Sequence, residues 1–187
     1  LRAVEESGAR FVFLTHSETS TGTLHDVAAQ SREASERGAL VVADVITSLG
    51  VHEFRQDEMA VDVAIGGSQK GLMLPPGLGM NALSEKALAA SKSAGFKRSY
   101  WDWQEMLANN KNGFFPYTPA TNLLYGLHEA INMLLEEGLE QVFARHDRHA
   151  EATRRAVSAW GLELLCANAS EYSSSLTADR KSTRLNS

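Results

Sequence analysis

The stretch VDVAIGGSQKGL, residues 61–72, constrains the fold more than any other part of the chain. A short apolar run that ends in glycines is typical of a buried parallel strand that stops at the ligand edge of an α/β sheet. Lys70 follows these glycines, and lysine is rarely buried without a partner. Two interpretations stay open: a solvated or anion-binding loop lysine, or an amine nucleophile that forms a Schiff base.

Two further apolar runs precede this stretch, and a helical segment separates them. Phe11–Leu14 and Ala39–Ala43 read as buried strands, and Leu24–Arg37 reads as a helix that Gly38 ends. A strand, a helix and a strand in this order predict a βαβ crossover, which is right-handed in nearly all proteins. The predicted fold class is therefore α/β, a mostly parallel sheet with helices on both faces.

Polar residues follow each of the three predicted strands. HSETSTG, residues 16–22, follows the first strand, Asp44 ends the second, and Gln69 and Lys70 follow the third. Ligands bind outside the carboxyl ends of parallel strands in open α/β sheets. We therefore expect Thr19, Asp44 and Lys70 to meet in one crevice. For Asp44 the alternative is a structural role as the cap of the segment that follows.

The second half of the chain is predicted to be mainly helical. Either Thr23 or Asp26 is expected to cap the first crossover helix, and Thr118 is expected to cap a later one that runs to about Glu137. A further helix over 139–160 and a strand over 162–166 are also predicted.

Composition limits the classes of function. A hydrophobic share of 43% is ordinary for a globular domain, and a net charge of −5 gives no basic surface for nucleic acid. The single cysteine, Cys166, allows no internal disulfide and fits a reducing, cytoplasmic location. The chain contains no apolar run of the roughly 20 residues that a membrane span needs. His146 and His149 lack a convergent third ligand, so no metal site is predicted.

Four segments together carry a family resemblance: THSETSTG, ADVITSLG, GGSQKGLMLPPGLG and YTPATNLLYGL. They resemble the signature segments of class V, fold type I pyridoxal-phosphate aminotransferases, most of all the alanine–glyoxylate and serine–glyoxylate group. The resemblance extends from about residue 8 to residue 178. It implies pyridoxal 5′-phosphate as cofactor, serine or alanine as amino donor, glyoxylate as acceptor, and a homodimer with shared sites.

The resemblance also implies a role for each matching residue. Lys70 resembles the lysine that binds the cofactor covalently and moves the substrate's α-proton, and Asp44 resembles the aspartate that pairs with the pyridine nitrogen. Thr19 resembles the hydroxyl residue beside the phenolic oxygen of the cofactor, and Gln69 resembles a phosphate or ring-oxygen contact. Thr118 resembles the threonine that reaches the cofactor phosphate of the neighbouring subunit.

The same resemblance predicts how the chain is divided. Residues 1–160 match part of the large cofactor-binding domain, 161–178 match the start of the C-terminal small domain, and DRKSTRLNS at 179–187 resembles translated adaptor sequence. The chain is therefore expected to be a fragment, inactive on its own. Two alternatives remain, a cysteine desulfurase-like lyase of the same fold and a non-catalytic truncated scaffold. The lyases typically carry histidine where this chain has Gln69.

Overall fold

The computed structural model describes residues 2–180, with side chains described from Val4 onward. The strands are β1 (Phe11–Thr15), β2 (Ser17–Glu18), β3 (Thr23–Leu24), β4 (Leu40–Asp44), β5 (Val63–Gly67) and β6 (Gly79–Leu83). The helices are α1 (Arg2–Ser7), α2 (Val27–Glu36), α3 (Glu85–Lys92), α4 (Trp103–Asn110), α5 (Thr121–Glu137) and α6 (Leu139–Ala159). Short 3₁₀ turns cover Ser99–Trp101 and Ala169–Glu171.

The main sheet has the strand order β1-β4-β5-β6. β1 pairs with β4 and β4 pairs with β5, both in parallel, whereas β6 runs antiparallel to β5. The three strands predicted from the sequence are thus adjacent and parallel, and the predicted mostly parallel α/β fold is confirmed. The polar segment after β1 is more regular than the predicted turn, because β2 and β3 pair as a small antiparallel hairpin.

Helix α2 covers one face of the sheet. Its buried residues Val27 and Ala34 join a core with alternate residues of the strands, and this core also includes Val41, Ala43, Val45 and Ala64. The helix begins later than predicted, because Leu24 belongs to the hairpin. Asp26 is its N-cap and accepts a hydrogen bond of 2.9 Å from the backbone N–H of Ala29. Of the two predicted caps, Asp26 is therefore the one in use.

The opposite face of the sheet is only partly covered. α3 and residues 98–103 lie beside it and enclose an apolar cavity of about 310 Å³. Phe11 and Phe13 line this cavity, and their exposed fractions are 52% and 75%. Ser84 caps α3, since its side chain accepts from the N–H of Ala87.

Helices α5 and α6 pack on the loop that follows β5. Leu72 and Leu74 from this loop form a second core with Ala130, Leu134 and Val142. The predicted cap of α5 is wrong, because the helix begins at Thr121 and its N-cap is Ala120, which makes no side-chain cap bond. Ala120 has a φ of −75° and a ψ of 75°, so the chain is still outside the helical region two residues after Thr118. The residues between Thr118 and the start of α5 form tight turns instead of the first turn of the helix.

The segment after α6 folds back over the edge of the sheet at which the parallel strands end. Leu164 forms an isolated antiparallel bridge with Asp179, where a continuous strand over 162–166 was expected. Tyr172 bridges to Thr23 of the hairpin. Of the predicted adaptor-like tail, residues 181–187 lie outside the described residues, and the division into two domains stays a prediction.

Candidate active site at the carboxyl edge of the sheet

The carboxyl ends of β1, β4 and β5 lie side by side. Thr15 is in register with Asp44, and Asp44 is in register with Ile65. The backbone continues this alignment beyond the strands, since the N–H of His16 donates to the Asp44 carbonyl over 2.9 Å and the N–H of Val45 donates to Ile65 over 3.0 Å. Three polar segments therefore start at one edge.

Asp44 is the last residue of β4, and its side chain is exposed at this edge. Its Oδ1 accepts a 2.9 Å hydrogen bond from the N–H of Ile46. The carboxylate therefore caps the turn that follows, which is the structural role considered in the sequence. The same bond fixes the side chain at the sheet edge, so capping and ligand binding are compatible.

Lys70 lies at the tip of a compact loop that leaves β5. Ser68 closes the loop: its hydroxyl donates to the carbonyl of Pro75 over 2.8 Å and accepts from the N–H of Leu78 over 3.2 Å. Ser68 is fully buried, whereas Gln69 and Lys70 are exposed. The sequence patterns above do not predict this role of Ser68. The pattern that could have indicated it is a small polar residue between the two glycines and the predicted lysine.

Glycines hold the loop after β5 against the turn after β4. A Cβ on Gly71 would lie 2.2 Å from the carbonyl oxygen of Leu49, and a Cβ on Gly50 would lie 3.0 Å from that of Gly71. Gly50 also has a φ of +77°, which disfavours any side chain. The segments that carry Asp44 and Lys70 are thus in direct backbone contact just beyond the strand ends.

Thr19 lies in the connection of the β2–β3 hairpin and is exposed. The hairpin is fastened to the turn after Asp44, because the hydroxyl of Thr47 donates to the Ser17 carbonyl over 2.9 Å. Glu18 steadies the connection by accepting bonds from the N–H and hydroxyl of Ser20, and these bonds lower the pKa of Glu18. The structure therefore brings the segments of Thr19, Asp44, Gln69 and Lys70 to one edge.

Thr118 is placed differently. It is exposed on the loop before α5 and lines a cavity of about 270 Å³ together with Gly77, Gly79 and Tyr100. Neither Asp44 nor Lys70 lines this cavity. Gly79 pairs with Gly67 at the end of β5, so the Thr118 loop lies beside β6 at the same end of the sheet.

Two histidines close to this edge have lowered pKa values. Burial, followed by the charges of His52 and His25, lowers the pKa of His16 to about 4. Burial also lowers the pKa of His52. Among residues 2–180 no group of three or more histidine, cysteine or acidic side chains is arranged to hold a metal ion. Within the same range no helix has both the length and the apolarity that crossing a membrane requires.

The chain forms an α/β domain in which the segment of Lys70 and the segment of Asp44 meet at one edge of the sheet. The profile described as Aminotransferase class-V matches residues 2–182. The serine–glyoxylate aminotransferase of Hyphomicrobium methylovorum is 45% identical over 171 residues, which cover 89% of this chain and 42% of that protein. The L-aspartate–glyoxylate aminotransferase of Paracoccus denitrificans is 44% identical over 173 residues, covering 91% and 44%.

A solved structure gives the same result for the fold. The pyridoxamine–pyruvate aminotransferase of Mesorhizobium loti superposes with a TM-score of 0.89 at 31% identity, over 96% of this chain and 47% of that one. The chain belongs to the class-V aminotransferase family. It spans somewhat less than half the length of these relatives. Family membership implies pyridoxal 5′-phosphate as the cofactor.

The residues present at the edge fit this cofactor. Asp44 offers a carboxylate fixed at a strand end, and Lys70 offers an exposed primary amine on the neighbouring loop. A Cβ on Gly67 would lie 3.1 Å from Oε1 of Gln69 and 3.3 Å from Cγ2 of Ile46. Glycine at this position therefore lets the loops after β4 and β5 close on each other around the end of β5.

Proposed function

We propose that the full-length parent of this chain is a pyridoxal-phosphate aminotransferase that moves an amino group from a small amino acid, serine or alanine, to glyoxylate. The observation that carries the proposal is the meeting of the Asp44 and Lys70 segments at one sheet edge in a class-V chain. Serine is the favoured donor. The serine–glyoxylate and L-aspartate–glyoxylate aminotransferases named above share glyoxylate, whereas their amino donors differ.

In this proposal the bound cofactor supplies an electron-withdrawing ring that makes the α-proton of the amino acid acidic. Asp44 holds the pyridine nitrogen protonated, because a carboxylate favours the charged form of a nearby base. Lys70 would hold the cofactor through Nζ, and the Nζ amine that the substrate's amino group releases would remove and return the α-proton. Thr19 would lie beside the phenolic oxygen, and Gln69 would contact the phosphate or the ring oxygen.

Among residues 2–180, the one cysteine does not suit the lyase alternative. A desulfurase needs a reactive thiol on a mobile loop, but Cys166 is buried with an exposed fraction of 7%. Its Sγ donates weakly to the carbonyls of Asn168 and Glu171, at 3.5 and 3.7 Å. A buried thiol among backbone carbonyls is not prepared to act as a nucleophile.

The proposal includes a cytoplasmic homodimer in which Thr118 serves the neighbouring subunit. Thr118 is exposed, and large aromatic side chains around it are exposed as well. Trp101 is 78% exposed, Phe114 is 68% exposed, and Tyr117 stacks at a tilt on Tyr100 with centroids 5.1 Å apart. An exposed aromatic patch of this kind is typical of a protein interface.

The chain alone is proposed to be inactive. Thr19, Asp44, Gln69 and Lys70 are exposed at one edge and Thr118 is exposed on a separate loop, so residues 2–180 leave these side chains open to solvent rather than in an enclosed pocket. Without such a pocket a substrate is poorly oriented, and orientation supplies a large part of an enzymatic rate.

The test is an assay of the purified full-length parent with glyoxylate and, separately, serine, alanine and aspartate. We expect glycine to form with serine or alanine as donor, and the corresponding 2-oxo acid to appear in equal amount. Release of sulfur from cysteine without amino transfer would favour the lyase. Absence of both reactions with saturating cofactor would contradict the proposal.

A further inference from the structure

A group of buried, hydrogen-bonded polar side chains lies beneath the exposed residues of the candidate site, and we call this group the seam. None of its side chains has a role in the proposed reaction. Its centre is Ser173, in the segment after α6, with an exposed fraction of 1%. The Ser173 hydroxyl lies 2.7 Å from the hydroxyl of Ser17 and 3.4 Å from Nε2 of His52, and it accepts a 3.1 Å bond from the N–H of Ser175. A buried hydroxyl with three polar neighbours is a specific structural junction, not an incidental surface contact.

The seam reaches both loops that carry candidate residues. The N–H of Ser173 donates to the carbonyl of Gly22 over 3.0 Å, at the end of the connection that holds Thr19. The Ser175 hydroxyl donates to the carbonyl of Thr47 over 2.6 Å, three residues after Asp44. One short segment thus fastens the Thr19 hairpin and the Asp44 turn at the same time.

His52 has a defined protonation state in this seam. The backbone N–H of Ser174 points at Nε2 of His52 over 3.0 Å. A backbone N–H can only donate, so Nε2 must be an acceptor and the ring must be neutral with its proton on Nδ1. Burial, which disfavours the charged ring, acts in the same direction.

His16 extends the seam toward the sheet. It is 5% exposed, its Nδ1 lies 2.9 Å from the hydroxyl of Ser48, and its ring packs edge-on to His52 with centroids 6.0 Å apart. His16 is also joined to the end of β4, because its N–H donates to the Asp44 carbonyl. The contacts are therefore continuous from Ser173 to the backbone of the proposed cofactor-binding carboxylate.

We propose that Ser173 and His52 are positioning residues for the cofactor edge: they fix the Thr19 hairpin and the Asp44 turn relative to each other from behind. The inference rests on the proposed function for its consequence in cofactor binding. Its geometric basis, the joining of two loops by one segment, is independent of that function. The two residues touch no reacting atom and act only through the loops they hold.

The decisive variant is Ser173→Ala in the full-length parent. It removes the hydroxyl at the junction without adding volume. The matched control is Ser170→Ala in the same segment, because the Ser170 hydroxyl is exposed and bonds only to Oδ1 of nearby Asn168. Two readouts are needed, which are cofactor affinity by visible-absorbance titration and hydrogen exchange of the amides at 17–24 and 44–49.

In Ser173→Ala we expect the dissociation constant of the cofactor to rise about threefold to tenfold, the range that loss of one or two buried hydrogen bonds gives. We also expect faster exchange in both loops, and no change of either kind in Ser170→Ala. A Ser17→Ala/Ser173→Ala double variant should be little worse than Ser173→Ala alone, because the two hydroxyls share one bond. If Ser173→Ala does not fold, His52→Asn tests the same link. The asparagine side chain is too short for its amide oxygen to reach the N–H of Ser174.

The inference is overturned if either loop keeps its wild-type exchange rate, or if only the unfolding temperature falls while cofactor affinity stays within twofold of wild type. A wild-type protein that binds no cofactor would contradict the proposed function instead. In that case the exchange data still decide the inference: faster exchange of both loops supports the positioning role, and unchanged exchange in either loop refutes it.

Discussion

The cofactor edge and the seam behind it are built from the same strand ends but differ in how complete they are. At the edge, Thr19, Asp44 and Lys70 are all exposed. In the seam, Ser17 and Ser173 are buried and hydrogen-bonded to each other. The buried side chains of the seam are therefore hydrogen-bonded within the chain, whereas the candidate residues at the edge are open to solvent. Substitutions at the edge should change chemistry, and substitutions in the seam should change geometry and stability.

The largest effect is expected from Lys70→Arg. Arginine keeps the positive charge, but its guanidinium stays protonated and cannot serve as a nucleophile or base. We expect amino transfer by the full-length parent to fall by at least about 10³-fold, because proton transfer by a positioned group contributes on this order. Steady-state assay gives the loss, and an unchanged unfolding temperature shows that the seam is intact. Activity within tenfold of wild type would show that Lys70 is not the reacting amine, and the contrast between edge and seam would then not hold.

Asp44→Asn separates the two roles of this residue. The Asn side chain still offers an oxygen to the N–H of Ile46, so the turn should stay capped, but the charge on the pyridine nitrogen is lost. A charge-assisted hydrogen bond contributes about 1.5–3 kcal/mol, which corresponds to a loss in kcat of about 10- to 150-fold. Asp26→Asn, which removes the same charge at the exposed N-terminus of α2, is the control. Equal kcat in both variants would leave Asp44 as a cap only.

Gly71→Ala tests the contact between the two loops of the edge. The added Cβ would collide with the carbonyl of Leu49, which is backbone and cannot move aside without shifting the turn after Asp44. Overpacking of this kind destabilises by about 1–3 kcal/mol, and we expect weaker cofactor binding as well. Gly95→Ala meets nothing within 4 Å and should be neutral in both respects. Thermal unfolding and cofactor titration of the two variants decide the point.

A smaller effect is expected from acid, and it should come from the seam. The pKa of His16 is lowered to about 4 by burial and by the neighbouring His52 and His25. The pKa of His52 is lowered by burial and by His146, against the opposing charge of Asp147. The unfolded chain then binds more protons than the folded one between about pH 6.5 and 4. Stability should therefore fall as the pH falls through this window.

The slope is at most about 1.4 kcal/mol per pH unit for one such histidine. It should be read from the difference between wild type and His16→Gln, because carboxylates also titrate in acid. We expect the unfolding temperatures of the two proteins to converge as the pH drops from 7 to 4.5. The exposed His149→Gln is the control. Parallel curves for His16→Gln and wild type would show that the burial of His16 does not make stability depend on pH.

The sequence predicted the sheet and its edge well because both depend on short-range patterns. Apolar runs that end in glycine or a polar residue identified β1, β4 and β5, and parallel pairing then placed their ends together. Thr118 as a cap was wrong because the turns formed by Pro119 and Ala120 delay the helix. The hairpin was missed because two residue pairs are too few to show a period.

The seam could not be predicted by the same means. The Ser17–Ser173 bond joins residues 156 positions apart, and serines in irregular segments carry no periodic signal. His52 was not singled out because a histidine in a loop has many uses, and only the N–H of Ser174 defines this one. Long-range polar pairing depends on the finished fold, so the structure is required to see it.

The central claim is that the amine at the carboxyl edge of β5 holds the cofactor. The direct measurement is borohydride reduction of the full-length parent in the presence of pyridoxal 5′-phosphate, followed by peptide mapping by mass spectrometry. The account predicts one modified site, Lys70, in the peptide that contains GGSQK. A cofactor mass on any other lysine, such as Lys86 beside Asp62, with Lys70 unmodified would contradict it.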